Sequence, residues 1–282
     1  MWLADLVSPA MATTGFARPC EFAGASGTWR ISNAEHLGFK FGDKGTHTSR
    51  TIMLADLAAV LAAVPFGRTR EAYDDAIVHD NRLGKPTLAT RRLSRQRLTE
   101  LYTLDPTVPL FRIMRHLWNI DERGRPLLAL LCALARDPLL RATAPTVLGL
   151  STKEEFPRIA VRSALRAAVG ERLNDSILDK VVRNAASSWT QAGHLRGRTF
   201  KVRERVRPTP ATVAYALYLG ESTGFTGMDL FNSCWMAALD AAPALARDLA
   251  GSAKQLGLLD MRLSEGVFQL QLGRLDPWAG KN

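Results

Sequence analysis

Sulfur is scarce in this chain: three cysteines among 282 residues. Cys20, Cys132 and Cys234 stand far apart, so no pair has metal-site spacing and no disulfide framework is implied. A reducing, cytoplasmic setting is the expectation. Long apolar runs are also missing. The longest patch, around Pro126–Ala135, is short and ends at Arg136, which leaves no membrane-spanning segment. Met1–Met11 lacks a basic leader and contains Asp5 and Pro9, a poor signal peptide. G-x-S-x-G, H-E-x-x-H and Walker patterns are absent, as is a nuclease-type cluster of acids. The carboxylate pairs Asp74-Asp75, Asp121-Glu122 and Glu154-Glu155 are chain neighbours; such residues diverge on a helix and make poor metal sites. His36, His47, His79, His116 and His194 are scattered. The glycine-rich segment Gly38–Gly45 carries neither G-x-G-x-x-G nor a phosphate loop. These absences predict no catalytic residues, cofactor, metal or small-molecule substrate.

Acids are short as well. Thirty-seven lysines and arginines outnumber 27 aspartates and glutamates, for a net charge of +10. A basic chain that is 46% hydrophobic can bury a core and calls for an anionic partner. The surplus is local. Residues 68–97 hold eight basic residues against four acidic, and residues 151–207 hold 13 against six. The other stretches, 1–67, 98–150 and 208–282, run from zero to one or two charges either way. Charge serving only solubility would be spread more evenly.

The richer block organises the rest. From Asp175 to Gln191, Leu178, Val181, Val182, Ala185 and Trp189 recur at helical spacing and predict a buried stripe. Lys180, Arg183, Asn184, Ser187 and Gln191 recur on another face, opposed only by Asp179. Asn174 or Asp175 can cap the start and Gly193 can stop the helix. Arg198 to Arg207 then alternates. Phe200, Val202 and Val206 fall on one side, Lys201, Arg203, Arg205 and Arg207 on the other, the pattern of a half-buried strand. Arg196 and Arg198 lead into it. Helix, turn and basic ribbon is the order of a winged helix. Its helix would enter the major groove while the ribbon follows the phosphates. Arginine, asparagine and glutamine are the side chains that pair with guanine and adenine edges.

The poorer block repeats the theme. An apolar helix from Ser49 to Val64 ends at Pro65, a second begins at Thr69, and Asn81, Gly84 and Pro86 mark a turn. A third runs from Thr87 to about Leu104, with Arg91, Arg92 and Arg95 opposite its leucines. That is again a helix-turn-helix pattern. Apolar helices broken at Gly124–Pro126 and Pro138 fill 108–150. Ser151 and Glu154 have capping-box spacing ahead of Arg158, Arg162 and Arg166. After Pro208 and Pro210, helices are expected near Ala211–Ser222, Met228–Ala241 and Ala244–Leu256. Strands near Leu259–Leu263 and Val267–Leu272 follow, joined through Ser264-Glu265-Gly266. A short strand is expected near Thr28–Ile31. The fold class is mainly α, with helix-turn-helix and winged-helix modules and short β-hairpins. Four units are expected: an irregular extension (1–48), a helical domain with a helix-turn-helix (49–150), a winged-helix-like domain (151–208), and a C-terminal helical segment with a hairpin (209–282).

The run Ala76-Ile77-x-x-Asp80-Asn81-x-Leu83-x-Lys85, followed by Thr90-Arg91 and preceded by Ser49-Arg50, resembles the N-terminal pattern of BrxA-type proteins of bacterial BREX phage-defence systems. The resemblance spans residues 49–200 loosely. It implies a small, mostly helical accessory protein that binds double-stranded DNA without catalysis, alongside other proteins of a defence complex. Residues 1–48 and the part after Pro208 depart from the pattern.

The expected contact set is Arg91, Arg92, Arg95, Lys180, Arg183, Asn184, Ser187, Gln191, Arg196, Arg198, Lys201, Arg203, Arg205 and Arg207. Two other classes fit the charge: a scaffold whose basic faces dock an acidic protein, and an RNA-binding protein. The chain lacks an aromatic RRM signature.

Overall fold

Prolines and polar caps set most helix boundaries. In the computed structural model, which describes residues 31–264, 267–276 and 278, four helices begin on a proline at the first helical position. They are α5 (Pro109–Ile120), α7 (Pro138–Leu148), α10 (Pro210–Ser222) and α12 (Pro243–Gln255). There the missing N–H costs nothing and the fixed φ favours the helix. Side chains cap others. Thr87 and Thr90 form a capping box on α4 (Leu88–Tyr102), and Asn174 accepts the Ile177 N–H at the start of α9 (Asp175–Gln191). The described residues hold twelve α-helices and two short antiparallel hairpins, so the chain is mainly helical.

The centre is α6 (Arg125–Arg136), buried from Leu127 to Arg136. A helix apolar on every side has to be surrounded, and α4, α5, α7, α9 and α10 pack around it. One buried apolar cluster then runs from Ala34 to Leu275, across the limits at 150 and 208. Beside it, α7, α8 (Arg158–Val169) and α9 pack on one another. A small sheet closes this group. β1 (Leu195–Arg196) pairs with β2 (Val202–Arg203), and Glu155 pairs with Val202 on the other side. β3 (Asp260–Ser264) and β4 (Val267–Gln271) form the second hairpin.

Several elements differ from their sequence expectation. The helix expected from Ser49 begins only at Leu54 (α2, Leu54–Ala63), because Met53 takes a left-handed φ of 51° and the preceding residues are held against α9. Ser151 and Glu154 do form half a capping box, with Ser151 N–H donating to Glu154 Oε2 at 2.7 Å; the helix starts later, after Pro157. Residues 228–241 form a 3-10 helix (Gly227–Asn232) and a separate α11 (Cys234–Ala237), because Ser233 is extended and caps the latter. The ten-residue strand expected over 198–207 keeps a ladder only at Val202 and Arg203. Within the extension, Ile31–His36 is helix α1; the rest of the strand expected near 28–31 lies outside the described residues, as does the Glu265-Gly266 turn.

No helix among the described residues is long and apolar enough to cross a membrane. Cys132 is a buried free thiol, pushed up to about 11 by burial.

Candidate nucleic-acid interface

Helix α9 has three sides. Leu178, Val181, Val182, Ala185 and Trp189 are buried as their spacing predicts, and Trp189 Nε1 donates to Thr143 Oγ1 at 2.9 Å. The second side is occupied by the chain itself. Asn184 Nδ2 donates to the His47 carbonyl at 2.7 Å, Ser188 Oγ accepts the Ile52 N–H at 3.0 Å, and Gln191 Oε1 accepts the Leu54 N–H at 3.0 Å. Asn184 and Gln191 are therefore committed to backbone partners, a correction to their expected role at base edges. The third side is open. Ser176, Lys180, Arg183 and Ser187 step by four, three and four residues along one line of solvent-facing helix. Neither Lys180 nor Arg183 has an acid within ion-pair distance among the described residues.

The β1–β2 hairpin abuts the end of that line. Gly197 takes φ +119°, and a Cβ there would sit 2.0 Å from the Phe200 carbonyl oxygen, so the turn needs glycine. Lys201 Nζ donates to Thr190 Oγ1 at 2.9 Å and to the Gly197 carbonyl at 3.1 Å, tying the turn to α9. Arg198 and Phe200 are exposed at the tip. The expected alternation holds at Arg205, Val206 and Arg207 but is inverted at two positions. Phe200 points to solvent, while Arg203 is 0% exposed and pairs with Asp240 at 2.5 Å. Arg203 is thus a structural residue and not a phosphate contact. Arg205 shares Asp240 at 2.9 Å, Arg196 pairs with Glu204 at 3.2 Å, and Arg207 is exposed beside Arg123 in a cleft lined also by Pro208 and Pro210.

The α3–α4 block uses its arginines internally, α3 being Arg70–Val78. Arg91 donates to the carbonyls of Lys85 and Val78, closing the end of α3, and Arg95 pairs with Asp74 at 3.3 Å. Arg92 alone of the three is exposed. On α8, Arg162 and Arg166 face Asp175 at 2.9 and 2.6 Å. Their hydrogen bonds, Arg166 first, hold the Asp175 carboxyl below its usual range. Of the fourteen residues expected at the interface, the structure puts Lys180, Arg183 and Ser187 on one line of α9, ties Lys201 to the end of that helix, and leaves Arg198 exposed at the hairpin tip. It scatters or internally pairs the others.

A buried constellation escapes any reading of spacing. His47 Nδ1 lies 2.7 Å from Asp137 Oδ2, and His47 Nε2 lies 2.8 Å from Ser188 Oγ. The order Asp, His, Ser matches a nucleophilic triad. All three are buried, and the Ser188 hydroxyl also donates to the Asn184 carbonyl and takes the Ile52 N–H. A nucleophile needs access to substrate; here the three side chains cross-link α7, α9 and the 46–52 segment.

His194 is the other buried imidazole. Nε2 donates to the Ala238 carbonyl at 2.9 Å, and the ring stands edge-on to Trp189. Burial depresses its pKa to about 4, against about 6.5 in an unfolded chain. The unfolded chain therefore takes a proton that the fold refuses. This contribution is full above pH ~6.5 and fades as pH falls toward ~4, for a loss of roughly 3 kcal/mol. Denaturant titrations at pH 7 and pH 4.5 should show that fall, and His194→Gln should flatten it; an equal slope in the variant would remove His194 as the cause.

No protein-family model matches the chain, and no curated protein matches it. Much of the Ala76–Arg91 pattern that carries the resemblance builds the α3–α4 turn. Asn81 takes φ +52° and its Oδ1 accepts the Lys85 N–H at 2.8 Å, while Lys85 pairs with Asp56 at 2.9 Å.

Proposed function

We propose that the protein binds double-stranded DNA, without catalysis, through a winged-helix-like unit made of α7, α8, α9 and the β1–β2 hairpin. The observation that carries this reading is the open line of α9. Lys180 and Arg183, flanked by Ser176 and Ser187, have no opposing acid among the described residues and meet a hairpin anchored by Lys201. Cations and hydroxyls in that arrangement suit phosphate oxygens, which take half or more of protein–DNA hydrogen bonds. The sheet order Glu155–β2–β1, following three packed helices, supports the winged-helix comparison. With Asn184 and Gln191 engaged by backbone, the interface favours phosphates over base edges. The BrxA-like pattern suggests an accessory role in a phage-defence assembly.

About four phosphates neutralised would lower affinity roughly 100-fold between 50 and 200 mM salt. Anisotropy titrations of a short duplex across that range test this directly. Lys180→Glu with Arg183→Glu should weaken binding at least tenfold on unrelated duplexes alike and shallow the salt dependence. Wild-type affinity in that variant would overturn the proposal. Preference for structured RNA, or binding only to an acidic protein, would reassign the same surface.

A further inference from the structure

Phe200 is 73% exposed at the tip of the β1–β2 hairpin. A lone exposed aromatic is ordinary, so exposure alone decides nothing. What sets this ring apart is the backbone that presents it. Gly197 at φ +119° brings the turn so close that a Cβ would meet the Phe200 carbonyl at 2.0 Å. Lys201 Nζ clamps the turn to Thr190, and the Phe156 N–H donates to the Lys201 carbonyl at 2.8 Å. Two residues further, Arg203 exchanges backbone bonds with Lys153 and Glu154, and its side chain is buried against Asp240. The tip is held from beneath on three sides, yet its largest apolar side chain is left in water. Arg198 lies two residues before the ring and Lys201 directly after it.

An exposed ring on a fixed support, with cations as its neighbours in sequence, suits the chemistry of a nucleotide: a π face for the base and positive charge for its phosphates. We infer that Phe200 is a stacking platform for a nucleobase. This rests on the nucleic-acid reading above and adds a site that phosphate neutralisation does not need. The base could be unpaired, or belong to a base step opened by the ring acting as a wedge.

Three probes separate these sources: a perfect duplex, the same duplex with one unpaired 2-aminopurine, and a single strand, each titrated with wild type, Phe200→Ala and Phe200→Trp. Phe200→Ala should weaken binding roughly 5- to 150-fold wherever a base is supplied. Phe200→Trp should retain affinity, and quenching of 2-aminopurine should vanish with the ring. Loss confined to the unpaired and single-stranded probes identifies an unpaired base; loss on the perfect duplex as well identifies a wedge. Both support the platform. Unchanged affinity of Phe200→Ala for all three probes, while Lys180→Glu/Arg183→Glu loses binding, overturns the platform and leaves the phosphate reading standing. Failure of the wild-type protein to bind any probe overturns both.

Discussion

Replacing Asp240 with alanine is expected to destabilise the fold by about 3–5 kcal/mol, the usual cost of stranding a buried charge. Arg203 is 0% exposed and its guanidinium rests on Asp240 at 2.5 Å. Asp240 also accepts the Val206 N–H at 2.9 Å. Burial pushes the Asp240 carboxyl upward, but the hydrogen bonds from Arg203 and Val206 and the Arg203 charge outweigh it and hold it low. A depressed carboxyl stabilises above the unfolded value near pH 4 and loses that contribution as pH falls from there through the lower folded value. The pair fastens the second strand of the hairpin to the turn after α11, so its loss should loosen the hairpin too. Arg203→Met in the Asp240→Ala background removes the stranded charge. That double variant should recover much of the loss, keeping the deficit of the unpaired Val206 N–H. Urea unfolding of the three variants measures this. A double variant no more stable than Asp240→Ala would show that the buried charge is not what destabilises. The mostly exposed Arg205, sharing the same carboxylate at 2.9 Å, is worth far less; Arg205→Ala serves as the control.

The same residue marks where the sequence stopped being legible. Helix α9 could be placed to the residue, with its cap and buried stripe, because seventeen residues of 3.6-residue periodicity repeat one message. Helices α3, α4, α5, α6, α7, α10 and α12 were legible for similar reasons, helped by threonines before α3 and α4 and by prolines in the first turn of the others. Alternation over Arg198–Arg207 held at Arg205, Val206 and Arg207 but failed at Phe200 and Arg203. Two residues of ladder are too few for period two to govern, and a partner 37 residues away turned Arg203 inward. A sequence does not reveal which of several arginines will meet an acid from a distant turn. The polar positions of α9 show the same limit: Lys180 and Asn184 are one turn apart and look alike by composition. Only the packing of Thr46–Thr48 and Leu54 against the helix separates an open cation from an amide committed to a carbonyl.

The 46–54 segment leads to the second large expected effect, at Asp137. Its Oδ1 accepts the N–H groups of Leu139 and Leu140, capping α7. Its Oδ2 accepts the His47 N–H at 3.0 Å and faces His47 Nδ1 at 2.7 Å. Burial would raise this carboxyl, yet the charge and hydrogen bonds of His47 and the bond from the Leu140 N–H hold it below its ordinary value. Asp137→Ala removes the acceptor for four buried donors at once. Each orphaned donor costs about 1–3 kcal/mol, so the sum is expected to reach about 4 kcal/mol or more. Ser188→Ala touches the far end of the network, where the hydroxyl meets His47 Nε2, the Ile52 N–H and the Asn184 carbonyl. It should cost about 1–3 kcal/mol. Combining Ser188→Ala with His47→Ala should give less than the sum of the two, because both break one bond. Thermal and urea unfolding of the set fixes the ranking. Asp137→Ala milder than Ser188→Ala would mean that the carboxylate does not anchor the network. Docking of the 46–54 segment also keeps Asn184 and Gln191 occupied. On the proposed DNA-binding reading, Ser188→Ala, milder and one turn from Asn184, should therefore alter the α9 interface only if that segment detaches. Unchanged duplex affinity in Ser188→Ala, with the fold intact, is the expected result.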